Sequence, residues 1–147
     1  MAMQKMVVGT AVAVVVVLMM TSVLALLQSN RTLLTSGTVR TVNVGVYSDP
    51  ACTQPASSID WGTINPGTST VKTVYVKNEG AVTLSLNMTS NTWTPSNCPT
   101  YMTLTWNEEN ASVAVGNHVQ ADFNLTVLPN ITGIGAFSFD IVVTGTG

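Results

Sequence analysis

Residues Ser58–Thr89 read SIDWGTINPGTSTVKTVYVKNEGAVTLSLNMT, and the second half of this stretch decides the fold. From Val82 onward every second residue is apolar. Val82, Leu84, Leu86 and Met88 share one face, and Thr83, Ser85, Asn87 and Thr89 share the other. Successive side chains of an extended chain point to opposite sides, so a period of two marks a strand with one face buried and one in water. The polar partners are small, hydroxylic or amide-bearing, and almost never charged.

The same period recurs outward from this point. MTLTW places Met102, Leu104 and Trp106 inward, and HVQADFNLTVL does the same for Val119, Ala121, Phe123, Leu125 and Val127. FSFDIVV does so for Phe137, Phe139, Ile141 and Val143, and TVRTVNVGVY (Thr38–Tyr47) for Val42, Val44 and Val46. Shorter pieces lie at Ser58–Trp61 and Val71–Lys77, making seven strands in all. Asp49-Pro50, Asn65-Pro66-Gly67, Asn78-Glu79-Gly80, Gly116-Asn117 and Pro129-Asn130 supply the residues that turns require. No helical period follows Leu34, so nothing provides helical crossovers for parallel pairing. The expected fold is all-β, an antiparallel two-sheet sandwich of immunoglobulin-like type, with a closed barrel as the alternative.

The N-terminal part reads differently. Met6–Leu27 is 22 residues without a charge, about the 30 Å of a bilayer core at helical rise. Residues 1–34 are therefore read as a signal anchor or signal peptide with a short linker, and residues 35–147 as the exported domain. Lys5 before the run, with no acidic residue before Asp49, keeps the N-terminus cytoplasmic. Val23-Leu24-Ala25 offers a signal-peptidase site, whereas the length of the run suits a retained anchor. A pilin-type leader would be cut before the helix, but QKMVVGT lacks its basic-residue-plus-glycine junction.

Composition narrows function further. Charged residues make up 8% of the 147-residue chain and the net charge is −2, which offers nucleic acid no basic surface. Thr (22), Ser (12) and Asn (12) supply the polar surface instead. Five N-x-Ser/Thr sequons, at Asn30, Asn87, Asn110, Asn124 and Asn130, make N-linked glycans the expected modification. Asn87 and Asn124 fall on polar strand faces, Asn110 and Asn130 in loops, and Asn30 close to the apolar run. Cys52 and Cys98 are the only cysteines, and an even count in an exported chain favours one disulfide between them.

GVYSDPACTQPASSIDWGTINPGTSTVKTVYVKNEGAVTLSLNMTSNTWTPSN, with YMTLTWN and FSFDIVVTG, resembles a family of small archaeal secreted or membrane-anchored immunoglobulin-like proteins. The resemblance runs from about Gly45 to Gly145. It implies the fold and a surface location, and transfers no functional residues.

Nothing catalytic stands out. His118 is the single histidine, and at strand rise it lies over about 10 Å from Asp122. NEEN at Asn107–Asn110 concentrates oxygen ligands, for which a polar hairpin tip is the simpler reading than calcium. Of the three tryptophans, Trp106 follows inward parity, which leaves Trp93 as the aromatic that could face a carbohydrate. No cofactor and no metal is expected. The sequence points to a non-enzymatic, glycosylated cell-surface protein of structural or adhesive role, membrane-held through the N-terminal helix or released. The alternatives are an extracellular filament subunit, assembled by strand donation or through that helix, and a ligand- or carbohydrate-binding surface module. Self-association or contact with other surface proteins belongs to each, and a secreted hydrolase is the third class.

Overall fold

The computed structural model describes residues 34–147. Nine strands follow in order: β1 (Leu34–Val42), β2 (Val44–Tyr47), β3 (Ser58–Ile59), β4 (Ser69–Asn78), β5 (Leu84–Thr94), β6 (Met102–Trp106), β7 (Ser112–Val113), β8 (His118–Val127) and β9 (Ala136–Thr146). A single 3₁₀ turn, Cys98–Thr100, precedes β6. The strands form two sheets, one ordered β3-β1-β9-β5-β7 and the other β2-β4-β8-β6. The result is a two-sheet β-sandwich compatible with the immunoglobulin-like class.

The core follows from alternation. Ala121, Phe123, Leu125 and Val127 of β8 are buried, as are Phe137, Phe139, Ile141 and Val143 of β9. The residues between them are only half-buried. Leu84 and Leu86 of β5, Val74 and Val76 of β4, and Trp61 and Ile64 of the β3–β4 connection complete the apolar layer. Burying a side chain of this size contributes about 1.5–3 kcal/mol, so the layer between the sheets dominates the stability.

Four expectations need correction. The strand count is nine because Thr38–Tyr47 is two strands, and because Ser112–Val113 forms a short one on the edge of β5. Asn43 has φ 62°, a left-handed conformation that asparagine tolerates better than most residues. There the chain leaves one sheet and enters the other, and the run of valines gives no hint of the break. The pairing is not wholly antiparallel: β1 runs parallel to β9 from Leu34↔Ala136 to Val42↔Thr144. A parallel pair needs a long connection, and here most of the domain lies between the two strands, so no crossover helix is required. Val82 does not face inward. It is 57% exposed, because β5 begins only at Leu84.

The fourth correction concerns the cysteines, which are both free. Cys98 is fully buried among the core residues. Cys52 sits in the β2–β3 connection with φ 52°, close enough to Lys77, Asp49 and Glu79 to feel their charges. It therefore belongs to the β2 edge of the four-stranded sheet, whereas Cys98 leads into β6 at the opposite edge. Two strands intervene, a separation of about 14 Å at a spacing of about 4.8 Å. A disulfide needs Cα atoms within about 7 Å. Burial pushes both thiols up from their ordinary value, which favours the unreactive protonated form.

No helix among the described residues is long and apolar enough to cross a membrane. The expected anchor or signal segment, Met6–Leu27, and the sequon at Asn30 lie outside the described residues.

Candidate functional site

A polar cluster that reaches both sheets surrounds Glu109, in the loop between β6 and β7. Trp106 closes β6 and stacks on Phe123 with ring centroids 5.7 Å apart and planes 9° from parallel. That leaves its indole Nε1–H free to donate to Glu109 Oε2 at 2.6 Å. The same carboxylate accepts from Met88 N–H at 3.3 Å and from the Asn87 side-chain amide. Asn87 and Met88 belong to β5 of the other sheet, so Glu109 ties the two sheets together along one side of the sandwich. Hydrogen bonds to an ionised acceptor are roughly twice as strong as neutral ones.

The loop itself is set by its backbone. Asn110 has φ 62°, and its N–H donates to Leu86 O at 2.8 Å while Leu86 N–H donates to Ala111 O at 2.9 Å. Two sequon asparagines, Asn87 and Asn110, thus flank one carboxylate, and both are exposed. Asn130 is exposed as well, in the turn after Pro129. Glycosylation forms a bond from the amide nitrogen to sugar carbon and removes one of its two protons. At Asn87 the remaining N–H can still donate to Glu109.

Asn124 is the different one. It lies on the outer face of β8, opposite Val71 on β4 and Thr105 on β6, and is only half-exposed. Its Oδ1 is buried with no hydrogen-bond partner among the described residues. The hydroxyl of its sequon, Thr126 Oγ1, is engaged with Ser69 Oγ at 2.8 Å. Neighbours on both strands crowd the site, an effect that the simple alternation of the sequence does not register.

The remaining candidates do not converge on a reaction centre. His118 meets Tyr75 edge-on at 6.1 Å. Asp122 accepts instead from Thr73 Oγ1 at 2.6 Å, and its N–H donates to Asn107 Oδ1 at 2.7 Å. Among the described residues no three His, Cys, Asp or Glu side chains gather as a metal site. Trp93, expected to be an exposed aromatic, stacks on Phe139 at 4.0 Å and is partly buried against the core. One face of the indole is thus taken by an aromatic neighbour in the core.

A shallow cleft of about 550 Å³ lies where β1 passes into β2, lined among others by Asn43, Val44, Glu79, Val82 and Gly145. Its one acidic side chain, Glu79, accepts from the Tyr47 hydroxyl, and this bond raises the Tyr47 pKa above its ordinary value.

The residue that sequence reasoning missed is Asn78, read only as part of a turn. It is 1% exposed. Its amide donates to Val82 O at 2.7 Å and Val113 O at 2.8 Å, and its Oδ1 accepts from Gly80 N–H at 2.9 Å. Nothing in its neighbours distinguishes it from an ordinary turn asparagine.

Comparison with known proteins finds no family model, no curated protein and no solved structure that matches the chain. The resemblance to an archaeal surface family therefore extends only to the two-sheet all-β architecture.

Proposed function

We propose that this domain is a non-catalytic structural or adhesive module displayed outside the cell, with N-linked sugar on its surface. The apolar stretch Met6–Leu27 would take the chain to the membrane. The observation that carries this reading is the placement of Asn87, Asn110 and Asn130, all exposed on a surface rich in uncharged hydroxyl and amide groups. Facing positions on the four-stranded sheet, such as Ser69 with Thr126 and Thr73 with Asp122, already satisfy one another by hydrogen bonds. Such a face is soluble with little charge, and suits a covering of glycan.

Intact glycopeptide mapping of the protein from its native source tests both halves of the proposal, because N-linked sugar of this kind is added to chains that reach the outer side of a membrane. Sugar is expected at Asn87, Asn110 and Asn130, with less at the crowded Asn124. Finding all four unmodified would overturn it.

A further inference from the structure

A β-sandwich of two open sheets has four edges, and an unpaired edge is a template for another strand unless something blocks it. Three of the four edges here are blocked. β2 is covered by the following chain: Ala56 N–H donates to Val46 O at 2.8 Å, Ser48 N–H donates to Gln54 O at 2.9 Å, and Tyr47 bridges Pro55. β3 is two residues long, and the β1 strand beyond it carries a charged residue, Arg40. β7 is equally short, and the β5 backbone beyond it is met by the Asn110–Ala111 backbone and by the Glu109 carboxylate on Met88 N–H. Past that point β5 is broken by a register shift between Asn91 and Thr94, with Thr92 at φ 56°, and is followed by Pro95.

β6 is the exception. Leu128 N–H donates to Tyr101 O at 2.8 Å, so the Tyr101 main chain faces β8, and alternation turns Thr103 and Thr105 the same way. The N–H and C=O groups of Met102, Leu104 and Trp106 then point away from the sheet, and they have no partner among the described residues. The strand reads MTLTW, with no charge, no proline and no glycine. Leu104 and Trp106 are only half-buried, because the sheet stops beside them.

We propose that β6 is a self-association edge, pairing antiparallel with β6 of a second copy across a two-fold axis at Leu104. This arrangement places Leu104 opposite Leu104, and Met102 opposite Trp106, in reciprocal hydrogen-bonded pairs. Thr103 stands opposite Thr105 in the closer pairs between them. The outward main-chain groups are satisfied, and the half-buried Leu104 side chains meet at the axis. The uncharged MTLTW edge is self-complementary about this axis, which favours a second copy, and charge selects the orientation. Glu108 follows β6 on one side only. Antiparallel pairing sets it against Thr100 of the second copy, whereas parallel pairing in register would set it against its own like charge. The interface is isologous and closed, so it yields a dimer with a continuous eight-stranded sheet and not a filament.

The test uses the full chain in a neutral detergent, with self-association followed by sedimentation. Thr103 and Thr105 are exposed, so changes there leave the fold in place. The unaltered chain should be dimeric, and T103K/T105K should weaken association by about tenfold, because lysines then face lysines. T103K/T105E should remain dimeric, since the two-fold sets each lysine against a glutamate. A monomeric unaltered chain, or a T103K/T105K chain as dimeric as the unaltered one, overturns the proposal. Loss of dimer in T103K/T105E overturns the antiparallel two-fold. Open-ended polymers that survive T103K/T105K would also overturn it, and would point to donation of the N-terminal segment instead. Amide hydrogen exchange on the unaltered chain answers the question without substitution. Exchange at Leu104 and Trp106 should slow as protein concentration rises, and concentration-independent exchange at both counts against the pairing.

Discussion

At the end of the sandwich where β9 begins, Trp61, Trp93 and Phe137 stack around Phe139 at centroid distances of 6.1, 4.0 and 6.0 Å. At the end where β9 finishes, no rings among the described residues stack in the core, and the Tyr75–His118 contact lies on the surface. Gly145 lies against Leu84 and Val44, and the buried Asn78 amide ties the β4–β5 turn to β7. The first end is held by apolar area that no single contact controls. The second depends on a few hydrogen bonds and on the absence of one methyl group. The two ends should therefore respond differently to substitution: the aromatic end in proportion to volume removed, the Asn78 end to the loss or gain of particular atoms.

The largest expected effect is at the aromatic end. Phe139→Ala removes the ring that the other three share, in a site 2% exposed. It should cost about 3–5 kcal/mol in a denaturant melt, a large share of the stability of a domain this size. A loss below about 1 kcal/mol would mean that Trp93 and Trp61 collapse into the space, and that the stack is not the determinant of this end.

Asn78→Ala comes next and probes the other end. It removes the donor to Val82 O and Val113 O and the acceptor for Gly80 N–H, leaving one buried and two partly buried main-chain groups without that partner. The expected cost is about 2–3 kcal/mol, although very little apolar area is lost. Amide exchange should also quicken around Gly80 and Val82 before it does so in β8. Uniform exchange across the domain would show that the turn is not an independent point of weakness.

These two residues also mark what could be read in the sequence. Phe139 was legible because every second residue of FSFDIVV is apolar, and the packing of two sheets demands that pattern. The Phe123 and Leu125 positions followed in the same way, whereas Trp61, in the β3–β4 connection, lies outside any alternating strand. Asn78 was not legible, because a turn asparagine in water and a buried one have the same neighbours in sequence. The break at Asn43 was hidden for a related reason: parity continues through it, while the backbone changes sheet. The parallel β1–β9 pair joins the two ends of the domain, beyond the reach of any local pattern. The separation of Cys52 and Cys98 is a matter of sheet order, which counting cysteines does not supply. Of the sequons, exposure at Asn87, Asn110 and Asn130 agrees with their expected placement on a polar face or in loops. The crowding at Asn124 comes from Val71 and Thr105 on neighbouring strands.

Gly145→Ala sharpens the comparison by adding atoms instead of removing them. A Cβ at this position would lie 2.6 Å from Leu84 Cδ1, closer than real contacts allow, and 3.0 Å from Val44 Cγ1, tight enough that this side chain must give slightly. Leu84 can rotate in part towards the cleft that it lines. A cost of about 1–3 kcal/mol is expected by thermal melt, the range typical of overpacking. Pairing it with Leu84→Ala should recover part of that loss, since the second change vacates the space the first one needs. Simple additivity of the two costs would place the crowding elsewhere.

The smallest expected effect fixes the scale for the others. Ser138 is adjacent to Phe139 on β9, points to the opposite face, and stands across from Thr94 on β5 and Ser36 on β1. Replacing its hydroxyl by hydrogen in Ser138→Ala leaves the strand pairing and the aromatic stack untouched. The change in stability should stay within about 0.5 kcal/mol. Because Ser138 and Phe139 share one strand, backbone environment and β-propensity nearly cancel between them, and the contrast isolates which side chain faces the core. A loss at Ser138 comparable with that at Phe139 would mean that both faces of β9 are packed. The outer face of the five-stranded sheet would then be covered by some further part of the protein, and the two-layer architecture would have to be extended to a third layer.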